Sequence, residues 1–379
     1  MKIVTVVGAR PQFIKAATVS RAIARHNASA NDDSLITEVM LHTGQHFHAA
    51  MSDVFFSEME LPKPDYFLDI NSLSHGAMTG RMLEKIETVL QEERPDFVIV
   101  YGDTNSTLAG ALAAKKLGIN VLHVEAGLRS FTLQTPEEIN RVLTDRISDI
   151  LCCPTATAVL NLEHEGYANA VTTLPGSRKP VVVNTGDVML DAALHYGAIS
   201  GEKSDVIRRL QLGCGDFALC TIHRAENTDD PLRLTQIFQA LREISNEMKV
   251  VLPLHPRTLK ILNSSGGLAQ FALYPSLALI EPVGYFDMVE LLKHTRIVLT
   301  DSGGLQKEAY FFKKPCVTLR DETEWVELLD TGTTILAGAA TFDILAAYRT
   351  LLTMEPAFRS DLYGNGAAAA NIIKQLLMF

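Results

Sequence analysis

The chain has 379 residues, 47% of them hydrophobic and 21% charged, a balance that supports folded globular domains and excludes a largely disordered protein. Thirty-four basic against 44 acidic side chains leave a net charge of −10, which argues against general affinity for nucleic acid or an anionic membrane. An anionic ligand would therefore need a local positive site, and at roughly 150 residues per domain the length predicts two domains with a cleft available between them.

The opening run Ile3 to Val7 is β-branched and ends at Gly8, and helical spacing follows from Pro11 to Ile23. It is too short for a signal-peptide core, and no apolar run reaches the roughly 18 residues of a membrane span, so the expected location is the cytoplasm. Strand-like runs return at Phe97 to Tyr101, Val121 to Val124 and Ile150 to Cys153. After the Pro- and Gly-containing stretch Leu174 to Gly186 a second series begins, at Ala218 to Ile222, Val250 to Leu254, Leu277 to Ile280, Ile297 to Thr300 and Cys316 to Leu319. Uninterrupted apolar strands alternating with helical patterns indicate parallel sheets covered on both faces. The fold class is α/β, with two Rossmann-like domains facing across a cleft, and in such sheets ligands bind in the loops beyond the strands' carboxyl ends. The cysteines Cys152, Cys153, Cys214, Cys220 and Cys316 are odd in number, sit mostly in these apolar runs and form neither CxxC nor CxH, so buried thiols are expected rather than zinc ligands or disulfides.

Several strand-following loops carry chemistry. In Thr300-Asp-Ser-Gly-Gly-Leu-Gln-Lys-Glu308, Gly303 and Gly304 let backbone N–H groups approach an anion, the helix N-terminus adds partial positive charge and Ser302 can donate a further hydrogen bond. The segment reads as a diphosphate cradle, and equally as a plain helix start capped by Ser302. It matches neither a P-loop nor GxGxxG, so ATP or NAD is not implied. Arg10 and Lys15 place two cations in and after the first strand's loop, where they could neutralise a diphosphate or simply be solvated.

Three carboxylates, Asp103, Glu125 and Glu137, stand at or just beyond strand ends of the first half, where repulsion and burial can separate acid and base roles. The blander alternatives are a helix cap for Asp103 and, for Glu137, a dipole partner or an ion pair with Arg141 four residues on. His223 and Arg224 follow the strand Ala218 to Ile222 and could bind phosphate or shuttle a proton; His255 repeats the pattern.

Taken in order, GARPQFIK, YGDTNST, VEAGLRS, PEEINR, HRAEN, TDSGGLQKEA and LRDETEW resemble the non-hydrolysing UDP-N-acetylglucosamine 2-epimerases over nearly the whole chain. The resemblance implies a GT-B-like pair of domains, residues 1–185 with a C-terminal helix 366–379 crossing back onto them and residues 186–365 binding UDP, usually in a homodimer. It implies interconversion of UDP-GlcNAc and UDP-ManNAc by anti elimination of UDP to 2-acetamidoglucal and re-addition to the opposite face, with no metal, nicotinamide or other cofactor. Carried over residue by residue, Asp103, Glu125 and Glu137 match the carboxylates of proton transfer and charge stabilisation, and His223 the histidine near the leaving diphosphate. Arg10, Ser302, Gly303 and Gly304 match diphosphate contacts, Glu308 a ribose-hydroxyl acceptor, and Lys15 and Arg320 further substrate contacts.

Two departures stand out. Gln45-His-Phe-His-Ala49 replaces a QHRQM-type segment that contributes to an allosteric UDP-GlcNAc site. Thr323-Glu-Trp-Val-Glu327 replaces TERPE and resembles the branch acting on UDP-2,3-diacetamido-2,3-dideoxyglucuronate, whose carboxylate would want a cation such as Arg129 or Arg141. A hydrolysing epimerase, a GT-B glycosyltransferase and a non-catalytic nucleotide-sugar sensor are the competing readings; the carboxylate trio favours reversible proton chemistry over the last two, while a hydrolysing epimerase would resemble this chain closely and differ by releasing UDP and free N-acetylmannosamine.

Overall fold

The computed structural model describes residues 1–45, 61–167, 179–265 and 274–379. The chain divides into a first unit, Met1–Ala192 with Ser360–Phe379, and a second, Ala193–Arg359. The boundary at Ala192 falls inside the helix Val188–Lys203.

In the first unit seven strands form one parallel sheet: β1 (Lys2–Val7), β2 (Thr37–His42), β3 (Tyr66–Phe67), β4 (Phe97–Tyr101), β5 (Asn120–Val124), β6 (Ile150–Cys153) and β7 (Val181–Asn184), in the order β3-β2-β1-β4-β5-β6-β7. β1 is central, with Val4 opposite Val39 on one side and Val98 on the other. Its β-branched residues suit a pleated ribbon buried on both faces, and Val4 and Val6 are fully buried in a cluster with Leu41, Val98, Val100 and Ala109. The helix Ala368–Met378 lies against Arg10–Ser29. It buries Ile372, Ile373 and Leu376 there, while Asp191 accepts hydrogen bonds from its first amides, those of Ala368 and Ala369, at 3.1 and 2.9 Å. A carboxylate there satisfies otherwise orphaned donors.

The second unit holds a six-stranded parallel sheet: β8 (Phe217–Thr221), β9 (Lys249–Pro253), β10 (Leu277–Ile280), β11 (Ile297–Thr300), β12 (Cys316–Thr318) and β13 (Thr334–Leu336), in the order β10-β9-β8-β11-β12-β13. The period-2 alternation of β8 sends Ala218 and Cys220 into one core with Phe238, Leu241 and Ile344, and Phe217 and Leu219 into the other with Leu291 and Leu292. Burial raises the thiol pKa of Cys316 to about 12 and those of Cys152, Cys153 and Cys220 further, so these four are inert packing groups; Cys214 is exposed.

Four strands went unread in the sequence. β2 and β13 mix exposed or half-buried positions with buried ones, β3 is two residues with neither buried, and β7 lies inside the stretch read as a connection between halves, yet it pairs with β6 from Ile150↔Val181 to Cys153↔Asn184. Both sheets reverse strand order once, between β1 and β4 and between β8 and β11. These switch points open crevices at the strands' carboxyl ends, and the loops there place the candidate side chains.

Candidate active site

Beyond β1 the chain passes so close to its neighbours that a methyl group on Gly8 would stand 2.1 Å from Thr43 Oγ1 and 2.2 Å from Ser106 Oγ. Only glycine fits. Gln12, buried in the first turn of Arg10–Ser29, reaches back to accept the Gly8 and Ala9 amides at 2.8 and 3.0 Å, and its Nε2 donates to Tyr101 O at 2.8 Å and Thr107 Oγ1 at 3.0 Å. One amide thus ties the β1 loop to the end of β4 across the switch point. Arg10 opens this helix, half-buried.

Lys15 and Glu125 form an ion pair with side-chain exposures of 8% and 9%. Lys15 is therefore not the surface lysine of the bland reading. Glu125, just past β5, has φ +73°, a left-handed conformation that costs a non-glycine residue free energy and marks strained functional sites. Gly102, itself at φ +61°, makes room: a Cβ there would lie 3.2 Å from Lys15 Nζ and 3.4 Å from Glu125 Oε1.

Behind this pair His123 is fully buried, with Nδ1 2.7 Å from Asp145 Oδ1 and Nε2 2.8 Å from Gly102 O, so the turn carrying Asp103 is held from below. Arg129 donates to Asp145 at 2.7 Å and to both oxygens of Glu165 at 2.5 and 2.8 Å. Burial alone would raise the Asp145 pKa, but His123 and Arg129 outweigh it and hold this carboxyl below its usual range. Arg129 is thereby committed to carboxylates of the scaffold, contrary to its reading as a cation for a uronate.

Asp103 Oδ2 accepts from Arg141 Nη2 at 2.5 Å, and Arg141 Nη1 donates to Glu138 at 3.1 Å. The expected Glu137–Arg141 pair is replaced by these two contacts: Glu138 is the buried carboxylate of the helix Pro136–Ile147, accepting the Ser130 and Phe131 amides, while Glu137 in the same first turn is exposed. Asp103 caps nothing. Thr104 is the cap of the helix Asn105–Lys116 and accepts from Thr107 N.

In the second unit His223 and Arg224 follow β8, and Asp301 follows the adjacent β11. Asp301 is fully buried and accepts the His223 amide at 3.0 Å, the Arg224 amide at 3.0 Å and Asn227 Nδ2 at 3.2 Å, with His223 Nδ1 3.2 Å from its Oδ1. The His223 ring lies 5.3 Å from that of His255. Ser302 caps the helix Gly303–Phe311, its Oγ accepting Leu305 N at 3.4 Å, which leaves the hydroxyl proton available to a ligand. A methyl on Gly303 would stand 2.2 Å from Glu324 Oε1, and Glu324 Oε2 accepts from Arg320 Nη1 at 2.8 Å. Lys307, 1% exposed, sits 3.9 Å above the Trp325 ring. Tyr285 donates to Glu308 at 3.1 Å.

The structure therefore brings Lys15, Glu125 and Gly102 together, joins Asp103 to Arg141, and sets His223, Arg224 and Ser302 around the end of β11, with Arg320 and Glu324 beside Gly303. Gln12, Glu138, Asn227 and Asp301 were missed as organisers of these loops. Asp301 was within reach of the strand-end-carboxylate rule applied to the first half; the role of Gln12 needed the β1–β4 neighbourhood, which no local pattern shows. Gln45 accepts the Ser106 amide and hydroxyl at 3.0 and 2.7 Å, and His46 to Ala49 lie outside the described residues. Among the described residues no group of three His, Cys, Asp or Glu could hold a metal ion, and no helix is long and apolar enough to cross a membrane.

Two doubly wound parallel units, with an anion-compatible glycine-led helix start in one and cation-paired carboxylates in the other, define a nucleotide-sugar type of α/β enzyme. The chain belongs to the UDP-N-acetylglucosamine 2-epimerase family, whose sequence model matches residues 28–377. It is 51% identical to the UDP-2,3-diacetamido-2,3-dideoxy-D-glucuronate 2-epimerase of Pseudomonas aeruginosa, over 99% of each chain. It is 40% identical to the UDP-N-acetylglucosamine 2-epimerase of Methanocaldococcus jannaschii, again over 99% of each. The crystal structure of the M. jannaschii UDP-GlcNAc 2-epimerase in complex with UDP-GlcNAc and UDP superposes with a TM-score of 0.88 at 39% identity, covering 100% of both chains. The protein is thus an isomerase of this epimerase family with its GT-B-like fold class.

Proposed function

We propose that the chain inverts carbon 2 of a UDP-linked 2-acetamido sugar without hydrolysing it. The observation that carries this reading is the pair of carboxylates following adjacent strands β4 and β5, Asp103 and Glu125, each held by its own cation, Arg141 and Lys15. Groups so fixed can take a proton from one face of carbon 2 and return one to the other, with Glu137 as the exposed third member. As the C2–H bond breaks, its electrons form the C1=C2 double bond and the C1–O bond to UDP breaks. Re-addition of UDP oxygen to C1 and protonation of C2 on the opposite face complete the epimerisation.

The second unit, residues 186–365 in the sequence reading, supplies the nucleotide site. Gly303, Gly304 and Ser302 offer the helix start to the diphosphate, His223 and Arg224 flank it, Glu308 accepts a ribose hydroxyl and Arg320 supplies charge; Arg10 and Lys15 are the substrate-binding cations of the first unit. The chain acts without metal or nicotinamide, in the cytoplasm, as a homodimer; the family resemblance supports these expectations, and sedimentation velocity tests the last.

Of the sugars, UDP-2,3-diacetamido-2,3-dideoxyglucuronate is favoured by the 51% identity to the Pseudomonas enzyme and by Trp325 in place of the TERPE arginine. The UDP-GlcNAc and UDP-ManNAc couple is the second reading, favoured by the family match and the ligands of the M. jannaschii structure. Proton NMR in deuterated water, with no metal or cofactor added, separates them. Inverted UDP-sugar carrying deuterium at C2, from one nucleotide sugar and not the other, assigns the substrate. Release of free UDP with N-acetylmannosamine would overturn the non-hydrolysing reading, and no exchange with either would overturn epimerisation.

A further inference from the structure

The geometry points to Asp301 as the positioning residue of His223: its carboxylate holds the ring by Nδ1–H and the loop by two amides, so that Nε2 is the nitrogen presented to the diphosphate of the substrate. This rests on the proposed function for what Nε2 meets, but its structural content does not.

Asp301 lies at the end of β11 and His223 at the end of β8, neighbouring strands in register from Ile297↔Ala218 to Thr300↔Thr221. The sheet therefore fixes their separation. A second tie runs between the same strand ends, Thr221 Oγ1 to Thr300 Oγ1 at 2.6 Å. Asp301 then takes three donors at once, the amides of His223 and Arg224 and Asn227 Nδ2, while His223 Nδ1 stands 3.2 Å from its Oδ1. Asn227 is in turn anchored, donating to Leu319 O at 2.8 Å and accepting from Arg233 Nε at 3.1 Å. An ionised carboxylate only accepts, so the ring nitrogen facing it must carry its proton there. Burial would push the Asp301 carboxyl up, but the His223 and Arg224 contacts hold it below the ordinary carboxylate range, and it is ionised.

The side chain of His223 is 37% exposed while that of Asp301 is fully buried, so one edge of the ring is committed and the other faces outward. Among the described residues the His255 ring, beyond β9, lies 5.3 Å from it; Arg224 and Glu226 are its neighbours along the chain, and Arg257, further along, is paired with Asp229 at 2.5 Å. A base or donor oriented by a buried carboxylate is the arrangement by which a histidine is kept in one tautomer and one orientation.

The test joins ring-nitrogen NMR with a double-mutant cycle. In the ligand-free protein, ¹⁵N-histidine spectra should show the His223 proton on Nδ1 at pH 8, and Asp301→Asn should move it to Nε2 while circular dichroism stays native. Asp301→Asn should lower kcat about 10- to 100-fold, and by less than twofold in the His223→Ala background, because its effect passes through the ring. An Nε2-protonated His223 in the unmodified protein would overturn the assignment even if Asp301→Asn failed to fold. The same fold-loss in both backgrounds would reduce Asp301 to a structural residue. If neither candidate UDP-sugar turns over but the tautomer shifts as stated, the function fails and the positioning role stands.

Discussion

Arg141 Nη2 stands 2.5 Å from Asp103 Oδ2 while its Nη1 stands 3.1 Å from Glu138, so one guanidinium joins the turn after β4 to the first turn of the helix Pro136–Ile147. Glu138 in turn holds the amides of Ser130 and Phe131. The exposed Glu137, its chain neighbour, thereby takes its position from the same ion pair that orients Asp103.

Removing Arg141 should accordingly damage both carboxylates. Arg141→Ala leaves Glu138 buried without its cation, a loss of about 2–4 kcal/mol, and should cut kcat about 100-fold. Urea denaturation and turnover check the two parts. Arg141→Lys, which keeps the charge but cannot reach both carboxylates with a planar fork, should recover stability more than activity.

Gly303→Ala should weaken UDP binding. Its methyl would stand 2.2 Å from Glu324 Oε1, so the tip of the Glu324 side chain, whose other oxygen accepts from Arg320 at 2.8 Å, must shift. The expected outcome by calorimetry is a UDP affinity reduced about tenfold or more, with the midpoint of thermal unfolding changed little; unchanged affinity would remove Gly303 from the nucleotide site.

Asp103→Asn, Glu125→Gln and Glu137→Gln should each lower turnover about 100-fold or more in a folded protein. Glu125→Gln differs from the others because it leaves Lys15 buried beside a neutral amide, so its stability should also fall, by about 2–3 kcal/mol. Retained turnover in all three would dissolve the acid-base centre.

His42 gives a pH dependence of defined sign. Burial lowers its pKa from 6.5 to about 4, in a site where its Nδ1 accepts the Gly44 amide at 2.8 Å and its ring stacks on Phe13 at 5.0 Å. The folded protein keeps this ring neutral while the unfolded chain binds a proton below pH 6.5. The contribution of His42 is therefore present in full above pH 6.5 and lost as pH falls towards 4, a change of about 3 kcal/mol. Urea unfolding across that window should be visibly less pH-dependent in His42→Gln than in the unmodified protein.

Local chemistry was sufficient to read two α/β halves, since the central strands β1, β4, β8 and β11 are buried on both faces and are written as unbroken apolar runs. Charged and glycine-bearing loops after them gave the candidate residues for the same reason: in a parallel sheet each strand ends where its loop must turn at the ligand-binding edge. Strands with partly exposed positions, β2, β3 and β13, and β7 within an apparent linker, left no such signature. What only the tertiary structure decided was pairing. Whether Arg141 would meet Glu137 or Asp103, whether Arg129 would be available, and which carboxylate would hold His223 depend on which strands lie side by side, and that order is set by long-range packing of the sheet rather than by spacing along the chain.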